Sequence, residues 1–277
     1  MSISETFQEL EKRHEGALIA YVTGGDPAPK YTPRLVEALV EGGADIVEIG
    51  IPFSDPIADG PIIQAADCRA LTAGTTPHTI FEIVKRTKKN ARVPIALLTY
   101  YNIIFRMGVE NFLEKASRCG VDGLIIPDLP VEEAEEYREL AGRQGIDTIF
   151  LATPSTSPER LKKVLRFTSG FLYLVSLFGV TGTRDRLTHL TTQTIRRLHP
   201  YTATRVPLAV GFGISKPGHV RAVIDSNAEG AIVGSAFVRT VELNLNKPTR
   251  MVKEMTALAK RLKRETKPGT NKTQAGN

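Results

Sequence analysis

Eight short apolar runs recur along the chain, most of them followed by an amphipathic segment, and this beat limits the fold more than any other feature. They are ALIAYV from Ala17, DIVEIG from Asp45, VPIALL from Val93, VDGLIIP from Val121, DTIFLA from Asp147, GFLYLVS from Gly170, VPLAVGFG from Val206 and GAIVGS from Gly230. A strand that is apolar along its whole length is buried on both faces, as in a parallel sheet covered by helices. Between them PRLVEALVEGG, FEIVKRTKKN, VENFLEKASRCG, EEAEEYRELAGRQG, PERLKKVLRFTSG and KPGHVRAVIDSNA show helical periodicity, and several close on a glycine suited to a left-handed cap. Eight such units in 277 residues predict an α/β fold, a single-domain (β/α)8 TIM barrel over residues 1–264, with an extra N-terminal helix. A doubly wound sheet is the alternative, but AYVTGGDP stands where its GxGxxG turn would be.

The net charge of +6 invites a nucleic-acid reading, and its location argues against one. Nine Lys or Arg against two Glu lie between Lys247 and Asn277, so the rest of the chain is nearly neutral. The excess belongs to an expected helix at about Arg250–Arg264 and to a basic tail, 265–277, read as disordered. No aromatic or base-reading motif accompanies it, so a solvated helix is the simpler reading. No segment resembles a signal-peptide core or approaches ~18 consecutive apolar residues, and a cytoplasmic location is expected. Cys68 and Cys119 lack the spacing of a disulfide framework or a zinc site and are expected to be buried small hydrophobes.

Barrel enzymes work at the C-terminal ends of their strands, which directs attention to Tyr21, Glu48, Leu98 with Tyr100, Asp128, Tyr173, Gly211 with Phe212, and Gly234 with Ser235. Side chains alternate along a strand, so if Val47 and Ile49 face the helices, Ile46 and Glu48 point into the barrel. Desolvation there raises a carboxyl's pKa, as a general acid near neutral pH requires; a structural acid neutralised by a buried base is the competing reading. Glycine-rich GVTGTRD, GFGIS and GSAF follow the sixth, seventh and eighth runs, where backbone N–H groups can hold a phosphate or simply make turns. None of these strand ends is Lys, and His14, His78, His189, His199 and His219 fall in helices or loops and are read as surface residues. Schiff-base and metal-aldolase chemistry are therefore disfavoured, and no metal site is expected. What remains is carboxylate acid–base chemistry on a phosphorylated ligand, with Tyr21, Leu98, Ile125, Tyr173 and Phe212 either walling the ligand or packing the core.

The run VEIGIPFSDPIADGPIIQ closely resembles the signature of the tryptophan synthase alpha subunit family. The likeness continues in family order through AYVTGGDP, LLTYYN, GLIIPDLP, LYLVSLFGVTGTR, VGFGIS and AIVGSAFV, over residues 17 to about 240. It implies a lyase of tryptophan biosynthesis that reversibly cleaves indole-3-glycerol phosphate to indole and glyceraldehyde 3-phosphate. It further implies Glu48 and Asp59 as catalytic carboxylates: Glu48 protonates the indole ring at C3 and helps remove the side-chain hydroxyl proton, while Asp59 stabilises the charge on the indole N–H. A phosphate site is implied at Gly182, Gly211, Gly213, Gly234 and Ser235. Thr181 is implied as a lid residue that meets Asp59 on closure, with Tyr173 and Phe212 flanking the substrate. The resemblance also implies an αββα complex with a beta subunit, contacted through Phe53, Ser54, Asp55, Pro56 and Asn102. Pyridoxal phosphate would belong to that partner, and no cofactor is expected in this chain. Asp67 departs from the small neutral polar residue expected there, placing another acid near Asp59. Two other readings are a free-standing lyase without a beta partner and a non-catalytic phosphate-binding barrel.

Overall fold

The computed structural model describes residues 1–176 and 189–267. Nine parallel strand segments are present among them: β1 (Ala17–Thr23), β2 (Ile46–Gly50), β3 (Ile95–Leu98), β4 (Gly123–Ile125), β5 (Asp147–Ile149), β6 (Leu151–Ala152), β7 (Leu172–Val175), β8 (Leu208–Gly211) and β9 (Gly230–Val233). They run in the order β5-β4-β3-β2-β1-β9-β8-β7-β6. β5 and β6 are two halves of the single run DTIFLA, one pairing with β4 and the other with β7, so the order closes on itself as an eight-stave (β/α)8 barrel. At the break the Phe150 carbonyl still accepts the Tyr173 N–H at 3.0 Å.

Strand alternation separates two apolar layers. Val47, Ile49, Leu97 and Leu124 face outward beneath the helices. Ile19, Ile46, Ala96, Ile125, Ile149, Phe171, Ala209 and Ile232 fill the barrel interior. The extra N-terminal helix Ile3–Lys12 starts with a reciprocal capping box between Ser2 and Glu5. It inserts Ile3, Phe7 and Leu10 into the inner layer, where Phe7 meets Phe171 at a ring separation of 6.0 Å. Each such burial stabilises by about 1.5–3 kcal/mol, and together they plug the N-terminal mouth.

Three acids staple the strands at that plugged end. Leu18 N–H donates to Asp45 Oδ2 at 2.8 Å, Ile95 N–H to Asp122 Oδ2 at 2.7 Å, and Leu208 N–H to Glu229 Oε2 at 2.7 Å. In each case the acid precedes one strand and accepts from the strand before it. Cations complete the first two: Lys263 Nζ lies 2.8 Å from Asp45 Oδ2, and Lys88 Nζ 2.6 Å from Asp122 Oδ2.

The expected helices form, at Thr32–Glu41, Pro77–Asn90, Val109–Cys119, Glu135–Arg143, Pro158–Phe167 and Pro217–Asp225, and Pro61–Thr72 is a helix as well. Gly120 ends Val109–Cys119 in the left-handed region, as its sequence foretells. Tyr101–Met107 and His189–Thr202 are further helices not read from periodicity. The C-terminal helix spans Pro248–Arg264 and docks on Thr32–Glu41, with the Thr256 hydroxyl donating to the Ala38 carbonyl at 3.1 Å. Glu265 to Lys267, which the sequence reading assigns to the tail, stay with the body: Thr266 is buried and its carbonyl accepts the Gly16 N–H at 2.8 Å. The rest of the tail lies outside the described residues.

Two expectations are corrected. Cys68 is exposed and Cys119 half-buried, so neither is a core residue. In Pro61–Thr72 the apolar residues trace no single stripe, and packing turns Asp67 inward and Cys68 outward. His219 is buried rather than on the surface, because its ring sits over the loop entering its helix and Nδ1 accepts the Ser215 N–H at 3.4 Å. Among the described residues no helix is long and apolar enough to cross a membrane, and no group of three His, Cys, Asp or Glu could hold a metal.

Candidate active site

β2 carries Glu48 into the open end of the barrel, in register with Tyr21 on β1 and Ala96 on β3. The residue is 1% exposed, its Oε2 has no hydrogen-bond partner, and no Lys or Arg pairs with it among the described residues. Burial first, and then the nearby Asp59 charge, push its carboxyl up to about 8. The structural-acid reading required a buried cation, and the described residues supply none.

Asp59 lies in the loop that joins β2 to the helix Pro61–Thr72. The Tyr100 hydroxyl donates to its Oδ2 at 2.7 Å, and the same phenol oxygen accepts the Ala58 N–H at 3.0 Å. Gln64 secures the backbone, its amide donating to the Asp59 carbonyl at 2.8 Å. Phe53 stacks on the Tyr100 ring at 5.1 Å. Burial raises the Asp59 pKa, and the Tyr100 hydrogen bond opposes that rise. Sequence reasoning singled out Tyr100 as a strand-end residue without giving it this task.

Two buried tyrosines and one strained phenylalanine form the walls. Tyr21 and Tyr173 lean over Gly50 and Gly211, and a Cβ at either glycine would run into the phenol above it. Phe212 meets Tyr173 edge to face at 6.1 Å and adopts a φ of 66°, followed by Gly213 at 75°. A bulky residue in that region costs about 1–3 kcal/mol and persists only where its surroundings hold it. Here the Ser176 hydroxyl, 2.6 Å from both the Gly211 and Phe212 carbonyls, provides the hold.

These groups enclose a cavity of about 220 Å³. Glu48, Asp59, Tyr21, Leu98, Tyr173 and Phe212 line it, and so do Gly213, Gly234 and Ser235. Gly234 precedes the helix Ser235–Glu242, whose first N–H groups favour an anion. Gly211 sits beneath the cavity as the seat of Tyr173. Ile125 is fully buried in the inner layer and does not line the cavity, whereas Ile63, Ile214 and Ile232, absent from the sequence reading, do. Thr181 and Gly182 lie outside the described residues. A larger cleft of about 780 Å³ opens at the plugged end, beside the N-terminal helix, away from Glu48 and Asp59. The small cavity can take a flat apolar ligand with a polar N–H near Asp59 and an anionic group at the glycines.

On the same face, Ser54, Asp55 and Asn102 are exposed, with Phe53 and Pro56 half-buried. Ile57 is 80% and Phe105 69% exposed beside them, which leaves an apolar rim around the mouth.

Residues 7–267 match the family described as tryptophan synthase alpha chain. The tryptophan synthase alpha chain of Methanosarcina barkeri is 47% identical over 261 residues, covering 94% of this chain and 95% of that protein. That of Solibacter usitatus is 48% identical, covering 87% and 90%. Among solved structures, a chain of the tryptophan synthase α2β2 complex from the hyperthermophile Pyrococcus furiosus superposes with a TM-score of 0.84 at 43% identity, covering 90% of this chain and 98% of that one. The Legionella pneumophila alpha chain gives 0.86 at 32% identity, covering 96% and 97%.

Proposed function

The chain belongs to the tryptophan synthase alpha chain family, lyases that cleave indole-3-glycerol phosphate to indole and glyceraldehyde 3-phosphate, and we propose that Glu48 and Asp59 carry that reaction here. The observation that supports the assignment is the burial of Glu48, with no cation beside it among the described residues, over a cavity shared with Asp59. Glu48 starts protonated at neutral pH and gives its proton to indole C3. The ring becomes a cationic indolenine, and the Asp59 carboxylate accepts its N–H and balances the charge. Glu48, now a carboxylate, takes the proton of the hydroxyl next to the bond. The bond between C3 and the glycerol carbon breaks, its electrons return to the ring, and the hydroxyl carbon becomes the aldehyde. Both acids end as they began.

Tyr21, Leu98, Tyr173 and Phe212 flank the indole and glycerol portions, and the N–H groups at Gly213, Gly234 and Ser235 hold the phosphate. Gly211 contributes by seating Tyr173, while Gly182 and Thr181, which the family resemblance implies for phosphate binding and the lid, lie outside the described residues. The apolar rim made by Phe53, Pro56, Ile57 and Phe105, with Ser54, Asp55 and Asn102, receives the beta subunit, into which indole passes. Exposure of Ile57 and Phe105 supports that reading, since large apolar side chains at a cavity mouth favour cover by a partner.

Glu48→Gln tests the assignment. The variant should bind indole-3-glycerol phosphate while its cleavage rate falls by about 10²–10⁴, the usual contribution of a positioned acid–base group. Near-normal turnover would remove Glu48 from the mechanism. Cleavage measured with and without the beta subunit checks the partner: strong stimulation is expected, and a fast rate that the partner leaves unchanged would favour a free-standing lyase.

A further inference from the structure

The reaction above leaves Asp67 without a task, although the residue is only 3% exposed and no hydrogen bond or ion pair holds its carboxyl among the described residues. A buried carboxyl with no partner is costly unless it stays neutral or serves a function. The helix that bears it, Pro61–Thr72, begins immediately after Asp59 and Gly60. Ile63, one turn before Asp67 and on the same helix face, lines the cavity beside Asp59.

Charged and titratable groups face Asp67 from several elements. From the entering loop comes Asp59, and from the segment after β1 comes Asp26; burial, then these two charges, push Asp67 up to about 8. On β1 is Tyr21, whose phenol feels the Asp67 charge more strongly than that of Asp59 or Glu48. Arg69, on the same helix, is committed elsewhere: it donates twice to Asp26, at 2.7 and 2.9 Å, and lies 4.0 Å from Glu242 of the helix Ser235–Glu242. That helix packs on Pro61–Thr72 through Val238 and Ala66. Among the described residues no cation is left to neutralise Asp67.

We propose that Asp67 is a positioning residue that acts through Asp59, supplying a second, proton-gated negative charge behind the ring-nitrogen end of the cavity. The inference rests on the reading of Asp59 as the partner of the indole N–H. At neutral pH Asp67 is a neutral acid, and Asp59, steadied by the Tyr100 hydroxyl, carries the charge. At alkaline pH the Asp67 proton leaves to solvent, and the new charge behind Asp59 makes the Asp59 carboxylate a stronger acceptor for the ring N–H. The site is thereby strengthened in the range where Glu48 begins to lose the proton it must donate.

The experiment is the pH dependence of kcat/KM for indole-3-glycerol phosphate cleavage, with beta subunit present throughout. It compares the wild type with Asp67→Asn, Asp59→Asn and the double variant between pH 6 and 9.5. Asparagine is nearly isosteric with a protonated aspartic acid, and Asp67→Ser provides a second neutral replacement. The ratio of wild type to Asp67→Asn should be near one below pH 7 and rise through pH 8 toward about tenfold, the factor that corresponds to one pK unit of coupling. The Glu48 ionisation is common to both enzymes and cancels in the ratio. In the Asp59→Asn background the Asp67 effect should vanish. A pH-independent ratio, which a merely structural role would produce, overturns the proposal, as does an effect that persists without the Asp59 carboxylate. Wild-type turnover in Asp59→Asn is a different result and would sink the underlying reading of Asp59 instead.

Discussion

The two mouths of the barrel treat their acids in opposite ways. At the plugged end Asp45, Asp122 and Glu229 each accept a strand N–H, and Lys263 and Lys88 neutralise the first two. At the open end Glu48, Asp59 and Asp67 are buried or half-buried, and none has a Lys or Arg partner among the described residues. The same residue types therefore do different work. An acid with its partners supplied holds strands in register, while an acid denied a counter-charge is pushed upward: Glu48 and Asp67 keep their protons near neutral pH, and at Asp59 the Tyr100 hydrogen bond opposes the rise.

The contrast breaks most visibly at the plugged end. Asp45→Ala strands the Leu18 N–H and leaves Lys263 with Glu15 and the Gly16 carbonyl alone, and should cost about 3 kcal/mol of unfolding free energy in denaturant titration. The kcat of the molecules that remain folded should be unchanged, and a fall in kcat without a fall in stability would erase the distinction between the two ends. Next in size is Gly211→Ala, whose new methyl displaces the Tyr173 phenol from its seat. A displacement near 1 Å in a site wall can cost about a hundredfold in kcat/KM, so a loss of that order is expected with little change in stability. The smallest effect belongs to Tyr100→Phe, which removes the hydrogen bond that lowers the Asp59 pKa. With that bond gone Asp59 takes up its proton at a higher pH, so the acid limb of the kcat/KM profile should move upward and activity at pH 6 should fall more than at pH 8.

Much of this was legible in the sequence, for reasons of period. Fully apolar runs announced parallel strands, and two-residue alternation put Glu48 inside once Val47 and Ile49 were assigned to the helices. Contacts set by folding over long separations were not legible. Tyr100 reaches Asp59 across 41 residues, and nothing local in YYN announces it. Ile125 stands in register with the cavity-lining Leu98 yet packs in the inner layer, a difference that strand position alone does not announce. The helix Pro61–Thr72 has no clear apolar stripe, so hydropathy could not tell that Asp67 faces in and Cys68 out. The break at Phe150 depends on a strand changing partners, which the composition of DTIFLA does not encode.

The account turns on Glu48 being a buried, uncompensated acid. Unfolding free energy of the wild type and Glu48→Gln, measured from pH 4 to 9, tests this most directly. The unfolded chain ionises Glu48 above its ordinary value of 4.5, whereas the folded chain holds the proton up to about 8. Over that window the folded state binds more protons, so wild-type stability declines as pH rises and the penalty is complete above about 8. Glutamine carries no such penalty, and the variant should be more stable than the wild type by about 3 kcal/mol at pH 7, with the two curves converging below pH 4.5. A variant less stable than the wild type at pH 7 would mean that Glu48 is a charged, compensated structural acid, and would contradict the account.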